Sequence, residues 1–225
     1  MGIAPYPQSP ERSGKWNAMN GELTILGIAG SLRAGSYNRA ALRAAQQLAP
    51  QGMRIETFEL DGIPGFNQDL EKRPPQQVVE LKRRIRAADG ILFVTPEYNY
   101  SVPGVLKNAI DWASRPYGDN AWYGKPAAIM GASIGRLGTA RAQYHLRQIF
   151  VFLGMPSVLE PEVMIADAAN AFDADGNLTD ETSRGLIAQL LENLARLVRR
   201  VQQPLNAPQA KVADRPSDEA RSRPH

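Results

Sequence analysis

Four side chains able to hold an anion, Ser31, Arg33, Ser36 and Asn38, fall within one segment, GSLRAGSYNR, Gly30–Arg39. An apolar run, LTILGIA at Leu23–Ala29, leads directly into it, and a helical pattern leaves it. A strand, a short Gly- and Ser-containing loop and a helix start together suit a phosphate group. The first N–H groups of a helix have no partner inside the helix and carry partial positive charge. Serine and Asn side chains add donors, and an Arg adds a charged fork matched to phosphate oxygens. A capped turn would also explain Ser or Asn here, but a cap needs only one such residue.

Two further loops have unusual composition. The segment PEYNYSVPGVLKNAIDW, Pro96–Trp112, sets Tyr98 and Tyr100 beside Glu97, Asn99 and Ser101, with Pro96 and Pro103 stiffening the backbone. Such a loop suits a planar heteroaromatic ring with polar edges. The same tyrosines would equally serve as cover for the core, and these residues alone do not separate the two readings. The segment GASIGRLGT, Gly131–Thr139, permits close backbone approach to a ligand, and a Gly-rich turn would look the same.

Other chemistries lack their residues. The glycines after the first apolar run do not form GxGxxG, and no Lys completes a GxxxxGK[ST] loop. No GxSxG elbow is present. There is no Cys, which excludes disulfides, thiolate metal sites and a Cys nucleophile. The two histidines are His145, in a helical stretch, and His225, and His145 reads as a helix-surface or interface residue. A chain so poor in acid–base groups would take its chemistry from a bound organic cofactor.

The elements that must position these loops alternate between strand and helix. Strands are expected at Leu23–Ala29, Arg54–Leu60, Gly90–Thr95 and Pro126–Ala132, with a fifth inside Ser157–Ile165, interrupted near Pro161. Helices are expected at Asn38–Leu48, Pro75–Ala88, Val102–Trp112, Thr139–Leu153 and Leu178–Val201. The last carries Leu186, Leu190, Leu194, Leu197 and Val201 at helical spacing. The alternation implies an α/β fold, a parallel sheet covered on both faces. Ligands of such sheets bind outside the carboxyl ends of the strands. That edge is where all three unusual loops fall.

The net charge is +3 over 225 residues, too weak to argue for nucleic acid. No apolar run reaches the ~20 residues of a membrane span. Residues 1–21 read as a flexible leader without a secretory signal, 22–202 as one domain, and 203–225 as a disordered, Pro-containing tail. A reducing, cytoplasmic setting fits a chain without Cys.

GSLRAGSYNR followed by PEYNYSVPGVLKNAIDW resembles the NADPH-dependent FMN reductase family, and within it the bacterial quinone and chromate reductases. ARAQYHLRQIFVFLG, Ala140–Gly154, is similar to the same subgroup. The resemblance spans 22–202. It implies a flavodoxin-like three-layer α/β/α sandwich with a five-stranded parallel sheet in the order 2-1-3-4-5. It implies non-covalent FMN, with NADPH or NADH as co-substrate and a small-molecule electron acceptor. By position, Ser31, Arg33, Ser36 and Asn38 would hold the phosphate. Pro96, Glu97, Tyr98 and Asn99 would line the isoalloxazine ring, partly through backbone atoms, and Ser133 and Gly135 would approach its other side. No catalytic acid or base is implied. The resemblance further implies a homodimer or homotetramer, with Arg141, Tyr144 and Glu162 matching a tetramer-interface network. An electron carrier of the flavodoxin type and a non-enzymatic regulatory protein on the same fold stand as alternatives.

Overall fold

The computed structural model describes residues 21–203. The leader and tail expected at 1–21 and 203–225 lie outside the described residues, save Gly21 and Gln203. Five parallel strands form one sheet: β1 (Leu23–Ala29), β2 (Met53–Phe58), β3 (Gly90–Val94), β4 (Ala127–Ala132) and β5 (Val163–Ile165). Their order is β2-β1-β3-β4-β5. The helices are α1 (Tyr37–Gln47), α2 (Gln76–Ala87), α3 (Gly104–Ala113), α4 (Ala140–Leu153), the short α5 (Ala168–Ala171) and α6 (Glu181–Gln202).

The inner strands β1, β3 and β4 are almost wholly apolar because each buries both faces, whereas the edge strand β2 alternates and exposes Arg54 and Thr57. Ile25, Leu92, Val94, Ala128 and Met130 face a core closed by α1 and α6. Leu26, Ile28, Ile91, Phe93 and Ile129 face a second core closed by α2, α3 and α4. Period-two alternation thus sorts one unbroken apolar run into two layers. Phe93 anchors the second layer, with ring centroids 5.1 Å from Phe150 of α4 and 5.6 Å from Trp122. Truncating Phe150 would cost about 3–5 kcal/mol, the usual range for a buried Phe.

The fifth strand falls inside the expected Ser157–Ile165 and is interrupted near Pro161: its paired part is Val163–Ile165, and upstream Ser157 makes a lone parallel bridge to Ala127. Proline lacks the N–H a ladder needs, so pairing restarts beyond it. The helix expected from Val102 begins at Gly104, with Pro103 at the N-cap position just outside it. The short α5 and the 3-10 turn Gln68–Leu70 have too few residues to show periodicity and were not expected.

The register aligns the carboxyl ends that matter. Ala29 pairs with Val94, and Val94 with Met130. The loops after β1, β3 and β4 therefore leave one edge side by side. The order reverses between β1 and β3, which makes this edge the topological switch point.

Candidate mononucleotide site at the carboxyl edge of the sheet

The loop after β1 wraps the start of α1. Ser36 caps the helix, its hydroxyl accepting from the Asn38 N–H at 3.2 Å. Ser31 and Ser36 are both buried, and the Ser31 hydroxyl accepts from the Arg33 N–H at 3.4 Å. Each hydroxyl keeps its own hydrogen to donate. Arg33 is exposed and folds back across the loop, 5.8 Å over the Tyr37 ring, and it enters none of the ion pairs among the described residues. Gly35 leaves space beneath it; a Cβ there would touch only the Arg33 Nη1, at 3.5 Å.

Asn38 stands apart from its expected role. It is buried, its Nδ2 donates to the Ala132 carbonyl at 2.9 Å, and its Oδ1 accepts from the Ala132 N–H at 2.8 Å. Its carboxamide is committed to the end of β4. Asn38 therefore acts on the loop by fixing its distance from β4, not as a free donor.

The loop after β3 turns sharply. Tyr98 and Ser101 exchange both backbone hydrogen bonds at 3.0 Å, and the two residues between them are left-handed, Asn99 at φ 49° and Tyr100 at φ 66°. This is a two-residue hairpin turn with positive φ at both central positions. Asn tolerates that region, whereas a Tyr there is strained by roughly 1–3 kcal/mol. Tyr98 and Tyr100 are exposed, so they are not core cover. Pro96 packs under the first loop, and a Cβ on Gly30 would lie 3.1 Å from the Pro96 ring.

Glu97 likewise departs from a simple ring-lining role. Its side chain is 5% exposed and points to α4, accepting from the N–H groups of Arg141 at 3.0 Å and Ala142 at 3.2 Å while pairing with the Arg141 guanidinium. It supplies the N-terminal cap that Thr139 does not make. Arg141 in turn lies 3.6 Å over the Tyr100 ring. The hydrogen bond to Glu97, with their charge attraction, holds the Arg141 guanidinium above its ordinary pKa. Only the backbone of Glu97 is left for a ligand.

The loop after β4 depends on one glycine. A Cβ on Gly131 would lie 2.1 Å from the Thr139 Oγ1 and 2.2 Å from the Thr95 carbonyl. Thr95, Thr139 and Gln143 are fully buried, and Gln143 donates to the Thr139 hydroxyl at 3.0 Å and to the Val163 carbonyl at 2.9 Å. Ser133 turns the loop by accepting from the Gly135 N–H at 3.1 Å. Gly135 is exposed.

Several supporting residues carry no signal that singles them out. Thr95, Thr139 and Gln143 look like ordinary polar residues in sequence. Asn108 and Trp112 do have a signal, their spacing of four on α3. Together they hold the loop after β2: Asn108 accepts from the Phe66 N–H at 2.7 Å and donates its Nδ2 to the Pro64 carbonyl at 2.9 Å, and Trp112 donates to that carbonyl at 2.8 Å. His145 is an exposed residue of α4, with its Nδ1 2.9 Å from the Ser101 hydroxyl. Tyr144 donates to Glu162 at 3.1 Å within the chain, which raises the phenol pKa, while Arg141 is engaged with Glu97 instead.

The three loops thus meet at one edge. The donor set fits a phosphate: two buried hydroxyls, an unpaired guanidinium and the first N–H groups of α1. The stiff, exposed tyrosine turn beside it fits a flat ring. Among the described residues no cluster of His, Asp and Glu could hold a metal ion.

A three-layer sandwich with this edge defines a flavodoxin-like mononucleotide-binding protein. Comparison with known proteins narrows the class. The family described as NADPH-dependent FMN reductase matches residues 23–170. An NAD(P)H-dependent FMN reductase of Pseudomonas aeruginosa is 56% identical over 184 residues, covering 81% of this chain and 99% of that protein. A 2-hydroxy-1,4-benzoquinone reductase of a Burkholderia species is 42% identical over 177 residues, covering 79% and 97%. Among solved structures, a flavoenzyme NAD(P)H:(acceptor) oxidoreductase of Paracoccus denitrificans superposes with a TM-score of 0.73 at 38% identity, covering 79% and 98%. The chain belongs to the NADPH-dependent FMN reductase family, and it is an FMN-using oxidoreductase.

Proposed function

We propose that the domain at 22–202 oxidises NAD(P)H and reduces quinones through FMN held at this edge. The observation that carries the reading is the meeting of an unpaired Arg33, two buried serines and the exposed Tyr98–Ser101 turn at the switch point. Ser31, Arg33 and Ser36 bind the phosphate. Pro96, Tyr98, Asn99 and the Glu97 backbone line one side of the ring, and Ser133 and Gly135 approach the other. Asn38 sets the spacing between the first and third loops.

FMN held by these residues would supply the hydride and electron transfer between the reduced nicotinamide and the acceptor. The protein binds and orients, and none of its side chains needs to act as an acid or base. One open flavin face would serve both the nucleotide and the acceptor. Nucleotide and acceptor therefore use the same place in turn, and steady-state kinetics should be ping-pong. Quinones suit the open face because they are planar; chromate and ferric complexes are opportunistic acceptors. A carrier of the flavodoxin type is less well supported, since such carriers are acidic to dock basic partners and this chain is slightly basic.

The outer face of α4 supports self-association as a dimer or tetramer. Val151, Phe152 and the nearby Leu159 are each more than 70% exposed. Among the described residues no helix is long and apolar enough to cross a membrane, and we read the enzyme as cytoplasmic. Purified protein assayed with NADPH and a benzoquinone tests the function: yellow, FMN-dependent protein with parallel double-reciprocal lines is expected. Intersecting lines would remove the shared site, and protein that neither carries nor takes up FMN would remove the enzyme reading.

A further inference from the structure

The Tyr98–Ser101 turn is not held from its own strand. Among the described residues, its side-chain anchors come from the first turns of α4. The Glu97 carboxylate, just before the turn, takes the N–H groups of Arg141 and Ala142 and pairs with the Arg141 side chain. The flat face of that guanidinium covers Tyr100 at 3.6 Å. Ser101, just after the turn, meets His145 at 2.9 Å. The start of α4 is itself fixed to the sheet, through buried Thr139 and Gln143.

We infer that Glu97 is a positioning residue: with Arg141 it latches the left-handed turn to α4 and so sets the shape of the ring-binding edge before any ligand arrives. Two features make the latch necessary. Tyr100 is held at positive φ although its ring is exposed, so core packing does not enforce the conformation. The Glu97 carboxylate is nearly buried, and its oxygens are satisfied only while α4 stays in place. Arginine is required at 141 because one planar group must stack with its face and pair with its edge, which an ammonium cannot do. The loops after β3 and β4 then behave as one body, since Arg141 lies in the first turn of the helix that the second of them enters. Only the consequence for the flavin rests on the function proposed above.

Amide hydrogen exchange of the full-length, FMN-free protein tests the latch without reference to the flavin. In the wild type, the N–H groups of Tyr98 and Ser101 are bonded to each other's carbonyls and should exchange slowly. Glu97→Ala and Arg141→Met should each speed exchange across the turn at least tenfold, with the β3 segment unchanged. Arg141→Lys should not rescue it. The double variant should be no worse than the more severe single one, because both break the same latch. The FMN dissociation constant of each variant should rise about tenfold. Should Glu97→Ala not fold, Glu97→Gln still offers one acceptor to the cap and should give an intermediate exchange rate. Turn exchange at the wild-type rate in a folded variant, or additive effects in the double variant, would overturn the inference. Wild-type protein that fails to bind FMN would strike the flavin reading instead, and leave the exchange result standing.

Discussion

Asn38 grips Ala132 by both of its backbone groups, donating to the carbonyl at 2.9 Å and accepting from the N–H at 2.8 Å. The residues are 94 positions apart in sequence, yet this one side chain sets the gap between the loops after β1 and β4. Asn38→Ala would leave a buried N–H and carbonyl without their partner. A loss of about 2–6 kcal/mol in urea unfolding is expected, at about 1–3 kcal/mol per orphaned group. FMN affinity should fall as well, because the spacing of the first and third loops would change.

Gly131 and Gly35 should respond in opposite ways to the same change. A methyl on Gly131 would occupy the positions of the Thr139 hydroxyl and the Thr95 carbonyl. Gly131→Ala should cost more than ~3 kcal/mol, in the range reserved for overpacked cores, or yield no soluble protein. Gly35→Ala meets only ordinary contact, and its melting temperature should match the wild type. A stable Gly131→Ala protein would show that β4 and the Thr139 turn separate more readily than their packing suggests.

Part of this was legible before any coordinates. β1 runs over the residues expected from its apolar run, and most other elements fall within one or two residues of theirs. Apolar periodicity reports burial, and burial follows the elements. The strand order came with the family resemblance, since no local pattern encodes which strands are neighbours. The site was legible as loops but not as contacts. Asn38 read as a phosphate donor because it sits beside glycines and serines, and Glu97 as a ring-lining residue because the resemblance placed it there. Their partners, Ala132 and Arg141, are distant in sequence, and nothing local reveals such a commitment.

Arg33 is the site's uncommitted positive charge. Arg33→Ala removes one charge-assisted contact to the phosphate, about 1.5–3 kcal/mol, or roughly ten- to hundredfold in FMN affinity. Fluorescence titration should show that loss with no change in thermal stability of the FMN-free protein. Unchanged affinity would take Arg33 out of the site.

Asp180 caps α6, its carboxylate accepting from the Ser183 N–H at 2.7 Å. Hydrogen bonds from the Ser183 side chain and backbone hold its pKa below the ordinary carboxylate value. The folded pKa is depressed, so the stabilisation is present above the unfolded value of about 3.9 and is lost as pH falls through the folded value. Asp180→Ala should cost up to about 1 kcal/mol at pH 7, with exposure and screening reducing the figure. The gap to wild type should close in acid. Asp180→Asn keeps a capping oxygen without a titrating group, and its difference from wild type should track that single ionisation.

Two ligands that share a ring and differ by a phosphate address the central claim most directly. FMN and riboflavin should be titrated into the FMN-free protein by calorimetry. One FMN per chain should bind, at least about a hundredfold more tightly than riboflavin, since the phosphate contacts contribute upward of about 3 kcal/mol. Equal affinity for the two would mean that the Ser31–Ser36 loop is no phosphate site, and no binding of either would contradict the account at its root.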